Sequence, residues 1–380
     1  MSKMKIKRIH YNENIDIKLN DGDNYILGAN GVGKTTLFNL IQYLLGVRKT
    51  MIRSLSLDNN ITKPFLECQF DTKFVKISRE MNSNEINFEG GIDARVKVGT
   101  KELNEIYSGL MGIEFTSNIN EKSSLDILKL SFLSEVDLGR NYVNKVDSYY
   151  KILGFNAEYL NSIEDDINKL KKELELQSNS LAILERYKSN SINSLREKEF
   201  LSNVLTDVTD VLEEEYQNNK DYLLNNYHLL QSAEKVYKYE LMENQKNVDY
   251  KIAELESYFQ KSLSLVNSRL INFSLKDAIK EKNARMFSFT ERVTVLFILH
   301  LTLCRNIKSS EIHNGSGLLI ADNLFSIKDN NSKKSIREVI KELTITDDFQ
   351  YIEFCSDLSS VPKESVVYNM SPRLGGGLFV

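Results

Sequence analysis

The residues best equipped for chemistry lie near the amino terminus. Gly28-Ala29-Asn30-Gly31-Val32-Gly33-Lys34-Thr35 fits the pattern G-x-x-x-x-G-K-[ST], with the apolar strand Tyr25-Ile26-Leu27 before it and an apolar helix from Leu37 to Leu45 after it. Glycines let backbone N–H groups turn inward around phosphate oxygens, and the amino terminus of the helix adds its dipole. Lys34 would neutralise the β/γ charge of a nucleotide, and Thr35 would offer a hydroxyl to Mg²⁺. The competing reading is a chance glycine loop with no ligand. Strand, loop, Lys-Thr pair and helix all occur in the required order, which favours phosphate binding.

Triphosphate chemistry also needs an acid at the end of a neighbouring buried strand, holding the metal through water. Asp322 closes the wholly apolar run Leu318-Leu319-Ile320-Ala321 and is the candidate Mg²⁺ acid; its plain alternative is a turn residue. A helix from about Ser332 to Leu343 and a strand from Tyr351 to Phe354 follow. These are signs of a buried parallel sheet. Residues 64 to 100 alternate apolar and polar positions, as in Lys73-Phe74-Val75-Lys76-Ile77, with a Gly90-Gly91 turn, and predict a lobe of antiparallel strands.

Between these flanks, from Gly154 to Gly315, there is neither glycine nor proline over about 160 residues, so the stretch should be helical almost throughout. Apolar residues recur at three and four spacings, as in Leu160, Ile163, Ile167, Leu170 and Leu174, then Val248, Ile252, Leu255, Phe259 and Leu263. One unbroken helix would reach roughly 240 Å at 1.5 Å per residue and strand the flanks apart. An antiparallel hairpin brings them together. Its turn is expected at the polar run Gln217 to Asp221, with Tyr187 to Ser194 as the alternative break. A plain helical-bundle insertion is the other reading, because the heptads are irregular. The expected division is 1–154 and 286–380 as two halves of one domain, with 155–285 as the helical hairpin.

Composition bounds the rest. The 380 residues are 41% hydrophobic and 27% charged with a net charge of -4, which supplies a full core and argues against a general nucleic-acid coat. Any nucleic-acid contact must be local. Lys3, Lys5 and Lys7 share one face of a strand, and residues 1 to 55 hold 9 Lys/Arg against 4 Asp/Glu. They are the best phosphate-backbone candidates, although a merely solvated strand face explains them as well. The first helical arm, 156 to 216, carries 7 Lys/Arg against 14 Asp/Glu and is a poor DNA track. Cys68, Cys304 and Cys355 form no CxxC pair, and the four histidines are scattered, which fits a reducing, cytoplasmic setting and gives no metal-ligand spacing. The tyrosines between 216 and 258 read as packing and partner contacts more than as base-stacking platforms. No run approaches the roughly 18 apolar residues of a membrane span, so no membrane partner is expected.

The order of parts resembles the ABC-type ATPase heads of SMC, RecF and RecN-like proteins, where a coiled coil separates a Walker A half from a Walker B half. The likeness is strongest at Gly28 to Thr36, with Met1 to Tyr11 similar to that family's opening strand, and at Asp322 to Asp329, similar to the Walker B end and D-loop. Phe287-Ser288-Phe289-Thr290-Glu291-Arg292 resembles the signature segment L-S-G-G-E, matching at Ser288 and Glu291 and departing at both glycines. The resemblance implies a P-loop α/β fold: a mixed sheet and β-rich lobe interrupted by an antiparallel helical hairpin. It implies ATP and Mg²⁺ as cofactors, with Asn30, Gly31, Gly33, Lys34, Thr35, Thr36, Arg53, Ser288, Glu291 and Asp329 as binding positions and Asp322 with Thr35 at the metal. It further implies a homodimer around ATP, or a larger assembly with an effector protein, acting in DNA repair, chromosome handling or defence against phage and plasmids.

The departures bear on activity. Asn323 stands where the family places its catalytic glutamate, and it can orient a water but cannot take its proton. Ser356 stands where the switch histidine would be, and no metal-contacting glutamine is assigned: Gln69 lies in a strand, and Phe132-Leu133-Ser134-Glu135 has the setting without the residue. Slow hydrolysis by Asp322 and Asn323 is one expectation. A non-hydrolysing, nucleotide-gated scaffold is the other. A small-molecule kinase has no place for the long insertion.

Overall fold

The computed structural model describes residues 3–50, 63–112, 123–134, 149, 157–192, 203–266, 273–279, 288–304, 316–324, 330–346, 349–356 and 361–370. In chain order these form β1 (Met4–Asn12), β2 (Ile15–Lys18), β3 (Asp23–Gly28), α1 (Lys34–Leu44), β4 (Phe65–Phe70), β5 (Lys73–Ser78), β6 (Glu85–Gly90), β7 (Ala94–Lys97), α2 (Lys101–Met111), α3 (Ser123–Leu130) and β8 (Phe132–Ser134). There follow α4 (Ala157–Tyr187), α5 (Asn203–Val266), α6 (Leu275–Ile279), α7 (Phe289–Cys304), β9 (Leu318–Asp322), α8 (Asn330–Thr346), β10 (Gln350–Cys355) and β11 (Val366–Met370). The chain divides into two compact units, Met1–Asn156 with Val248–Val380, and Ala157–Asn247.

In the first unit, the unbroken apolar runs became buried parallel strands and the alternating ones became half-exposed antiparallel strands. β9 and β10 are buried at every position and lie in a five-stranded sheet of order β11-β3-β10-β9-β8, parallel at each pairing. β4 alternates half-buried and buried positions, in a six-stranded antiparallel sheet of order β2-β1-β4-β5-β6-β7. Helix α1 packs on β9 and β10 and on β4, with Phe38 edge-on to Phe132 at 5.7 Å and to Phe354 at 6.1 Å.

Buried polar side chains join the two sheets. Gln350 is fully buried; its Oε1 accepts from Ile6 N at 2.7 Å, and its Nε2 donates to Ile6 O and Asn20 O, both at 2.8 Å. One amide thus satisfies both backbone groups of Ile6 in β1 and the carbonyl of Asn20. His300 in α7 is likewise buried and saturated, through Leu130 O at 2.9 Å and Tyr149 OH at 3.0 Å.

The helical unit corrects the expected turn. Residues 217 to 221 lie inside α5, whose 64 residues run through them without a break, and Gln217 Nε2 donates to Asp221 Oδ1 one turn away at 2.9 Å. Polar residues without glycine or proline do not stop a solvated helix, and an i,i+4 pair supports it. The break falls at the alternative position: α4 ends at Tyr187 in a π-helical turn, Lys188–Ile192. Beyond it the two helices run antiparallel, since Lys220 meets Glu185 at 2.5 Å and Lys188 meets Glu213 at 3.8 Å. Tyr216 is buried with the Lys188 ammonium 4.7 Å from its ring centre, whereas Tyr222 and Tyr239 are exposed. From Val248 onward α5 belongs to the first unit, where Val248, Ile252, Leu255, Phe259 and Leu263 are core. No helix among the described residues is long and apolar enough to cross a membrane.

Candidate functional site

The glycine loop joins the end of β3 to the start of α1. Gly33 sits at the cap of α1 with φ of 98°, a left-handed conformation that glycine adopts without a side-chain clash, and no side chain caps the helix. The first-turn N–H groups are therefore left to a ligand, with no acidic residue in that turn to oppose an anion. Gly28 is required for another reason: a Cβ there would lie 2.6 Å from Val32 Cγ2 and 3.0 Å from Met370 Cβ. Asn30, Gly31 and Thr35 are exposed and Thr36 half-buried, so the rim of the loop is open to solvent.

Lys34 is the buried member. Its ammonium lies inside the loop, donating to Gly28 O and, at 2.9 Å, to Ala29 O. Burial pushes its pKa below the usual lysine value, while the Asp322 carboxylate and the Cys355 thiol pull it back up. A cation held on two loop carbonyls, beside an uncapped helix start, is chemically suited to polyphosphate.

Asp322 ends β9 and is buried, in register with Phe354 of β10 and Ser134 of β8. The next residue, Asn323, has φ of 52° and donates its backbone N–H to Phe354 O at 2.8 Å, prolonging the ladder by one bond. Its side-chain Oδ1 accepts from Ser356 Oγ at 3.2 Å. β10 also pairs with β3, Cys355 facing Leu27. The ends of β3, β10 and β9 thus bring Lys34, Ser356, Asp322 and Asn323 to one edge of the parallel sheet, the edge where ligands bind in such folds.

The remaining candidates are placed elsewhere. Ser288 and Glu291 form a capping box at the start of α7. Ser288 N and Oγ donate to Glu291 Oε2 at 2.9 and 2.8 Å, and Glu291 N donates to Ser288 Oγ at 3.3 Å. Their spacing therefore has a local structural cause. Arg53 and Asp329 lie outside the described residues. Gln69 is in β4, donating to Asp71 O within its own turn. Lys5 and Lys7 are not free strand-face lysines: both pair with Asp21, Lys5 at 3.4 Å.

One structural residue escaped the sequence reading. Arg79 is fully buried with no carboxylate partner among the described residues; its guanidinium donates to the carbonyls of Ser83, Tyr43, Arg48 and Lys49 at 2.8–3.0 Å and lies 3.7 Å from the Tyr43 ring centre. It satisfies the carboxyl end of α1 and so fixes the helix whose other end is the phosphate loop. A lone arginine after a strand gives no signal of this in sequence.

Solved structures share this architecture. The Smc head domain of Pyrococcus furiosus, with an extended coiled coil and bound to the C-terminal domain of ScpA, matches 93% of this chain and 90% of its own at 12% identity, with a TM-score of 0.52. The chain has the fold of an SMC head domain. Head domains of Pyrococcus yayanosii Smc (13% identity, 93% and 92% covered, TM-score 0.44) and of Thermotoga maritima SMC (12%, 98% and 96%, 0.43) show a weaker similarity. No protein-family model matches the sequence, and no curated protein does. In this chain the glycine loop and the end of β9 fall on one sheet edge, and long helices separate them in sequence.

Proposed function

We propose that this chain binds ATP and Mg²⁺ and works as a nucleotide-gated head, pairing with a second head around the nucleotide. The observation that carries the reading is Lys34, buried among loop carbonyls beside Asp322 at the uncapped start of α1. Asn30, Gly31, Gly33, Thr35 and Thr36 would line the phosphates, and Thr35 with Asp322 would hold Mg²⁺, which shields phosphate charge when bound. Arg53, Ser288, Glu291 and Asp329 would complete the site, the last three from the partner head.

Hydrolysis is proposed to be slow. Asn323 supplies no base, and Ser356 no imidazole, at the sheet edge. The reading of a scaffold that holds or licenses an effector while turning over little ATP is favoured by that pair. A DNA role in repair, chromosome handling or anti-phage defence draws on the family resemblance, since Lys5 and Lys7 are both engaged by the one Asp21 carboxylate. The ScpA-bound Smc head of Pyrococcus furiosus supplies a precedent for a protein partner.

The test is ATP affinity by calorimetry and steady-state hydrolysis, with and without duplex DNA, beside Lys34→Ala. The expected result is binding of Mg-ATP by the wild-type chain, lost at least about a hundredfold in the variant, with slow turnover. Equal affinity in the two proteins would overturn the site.

A further inference from the structure

The two residues that depart from the family pattern at the sheet edge touch each other. Asn323 follows β9 and Ser356 follows β10, adjacent parallel strands, and the Ser356 hydroxyl donates to Asn323 Oδ1 at 3.2 Å. The Asn323 backbone is held as well, in the left-handed region at φ of 52° with its N–H on Phe354 O. Asparagine tolerates that conformation better than glutamate does, because its short amide bonds locally. The backbone therefore selects the residue and the hydroxyl selects its orientation.

An asparagine side chain has one acceptor oxygen and two N–H donors. With Oδ1 taken by Ser356, its remaining capacity is the –NH₂ group, and among the described residues its side chain makes no other hydrogen bond. An attacking water must pass its proton to an acceptor, which an –NH₂ group cannot provide. Phosphate oxygens at neutral pH are acceptors, and donors to a charged group make the stronger bonds. The pair stands one strand and two strands from the loop that holds Lys34.

We propose that Asn323 and Ser356 read the terminal phosphate. Ser356 is a positioning residue that fixes the Asn323 amide with its –NH₂ end available to that phosphate. The site then distinguishes a nucleoside triphosphate from a diphosphate without hydrolysing it. This rests on the nucleotide reading given above and assigns to Asn323 recognition in place of water activation.

The experiment compares Mg-ATP, Mg-AMP-PNP and Mg-ADP affinities of the full chain by calorimetry. Asn323→Gly keeps the left-handed backbone and removes only the amide. It should reduce the preference for triphosphate about tenfold, the worth of one hydrogen bond to a charged group, with ADP affinity changed less than about twofold. Asn323→Asp, which turns donors into a charged acceptor, should reduce it further. Ser356→Ala should cut the preference about threefold, and Ser356→Thr, which keeps the hydroxyl, should restore it. Retained ADP binding shows that each variant is folded. The proposal is overturned if ATP and ADP affinities move together in Asn323→Gly, or if Ser356→Ala leaves their ratio unchanged while Lys34→Ala still abolishes both. If the wild-type chain binds neither nucleotide, the nucleotide reading fails and this inference with it.

Discussion

The proposed phosphate edge of the sheet has two ends built on different principles. At the β3 end the loop is made of backbone: left-handed Gly33, an uncapped helix start, and a lysine fixed by loop carbonyls. At the β9–β10 end it is made of short side chains, Asp322, Asn323 and Ser356, on strand termini. Left-handed Gly33 restricts its position to glycine, whereas left-handed Asn323 still admits a few short residues, glycine and aspartate among them. The difference teaches how a head could keep its grip on a nucleotide while its chemistry drifts. In the proposed reading, holding phosphate is a property of the loop, and the residues at 323 and 356 decide whether a proton can be passed on.

The comparison breaks most readily on the backbone side. Gly28→Ala would set a methyl 2.6 Å from Val32 Cγ2 and 3.0 Å from Met370 Cβ, so β11 or the loop must shift. Overpacking of this kind costs about 1–3 kcal/mol. We expect a lower urea midpoint together with loss of ATP binding. An unchanged midpoint with full affinity would mean that the loop is looser than its contacts require.

On the side-chain side the effect should be smaller and confined to charge. Asp322→Asn keeps the shape and removes the carboxylate that supports the Lys34 ammonium against burial. In the proposed site Lys34 would bind phosphate as a cation, and its pKa is already lowered, so ATP affinity should fall as pH rises through the alkaline range. In Asp322→Asn that fall should start at lower pH, and the gain in affinity from Mg²⁺ should shrink about tenfold. Affinities measured from pH 7 to 10 with and without Mg²⁺ check both. An unshifted profile would separate Asp322 from Lys34.

These contrasts also explain what the sequence could tell. The glycine loop was legible because its chemistry requires fixed residues at fixed spacing beside a strand and a helix. β9 was legible because burial on both faces demands an unbroken apolar run. The hairpin turn was misread, since Gln217 to Asp221 are polar for solvation and not for turning, and Tyr187 to Ile192 carry no glycine to mark a break. Ser288 and Glu291 were read through the family signature, yet their spacing is also that of a capping box, and sequence alone does not separate the two. The Asn323–Ser356 bond joins positions 33 residues apart that only the parallel pairing of β9 and β10 brings together. Arg79 was invisible for the same reason, its acceptors being backbone carbonyls, which every residue has.

The smallest expected effect concerns β10 itself, whose end serves the phosphate edge and whose middle carries a carboxylate against α8. Glu353 is 1% exposed, with Arg337 Nη2 at 3.8 Å and the Tyr351 hydroxyl donating to it at 3.3 Å. Burial raises its pKa above the usual glutamate value, and the attraction of Arg337 and the Tyr351 bond offset this only in part. A carboxyl whose folded pKa lies above its unfolded value stabilises the fold fully below the unfolded value of 4.5. That contribution is lost as pH rises through the folded pKa. Glu353→Gln cannot ionise, so the stability of the variant relative to wild type should improve steadily as pH rises from about 4.5 towards 8. Leaving Arg337 without its carboxylate adds a cost, but a nearly constant one, so the slope of urea midpoints against pH is the readout and not their offset. A slope of the opposite sign would mean that Arg337 holds Glu353 ionised, and that both ends of β10 are organised by fixed charge. The expected slope would instead mean that burial outweighs the attraction of Arg337 at the middle of β10.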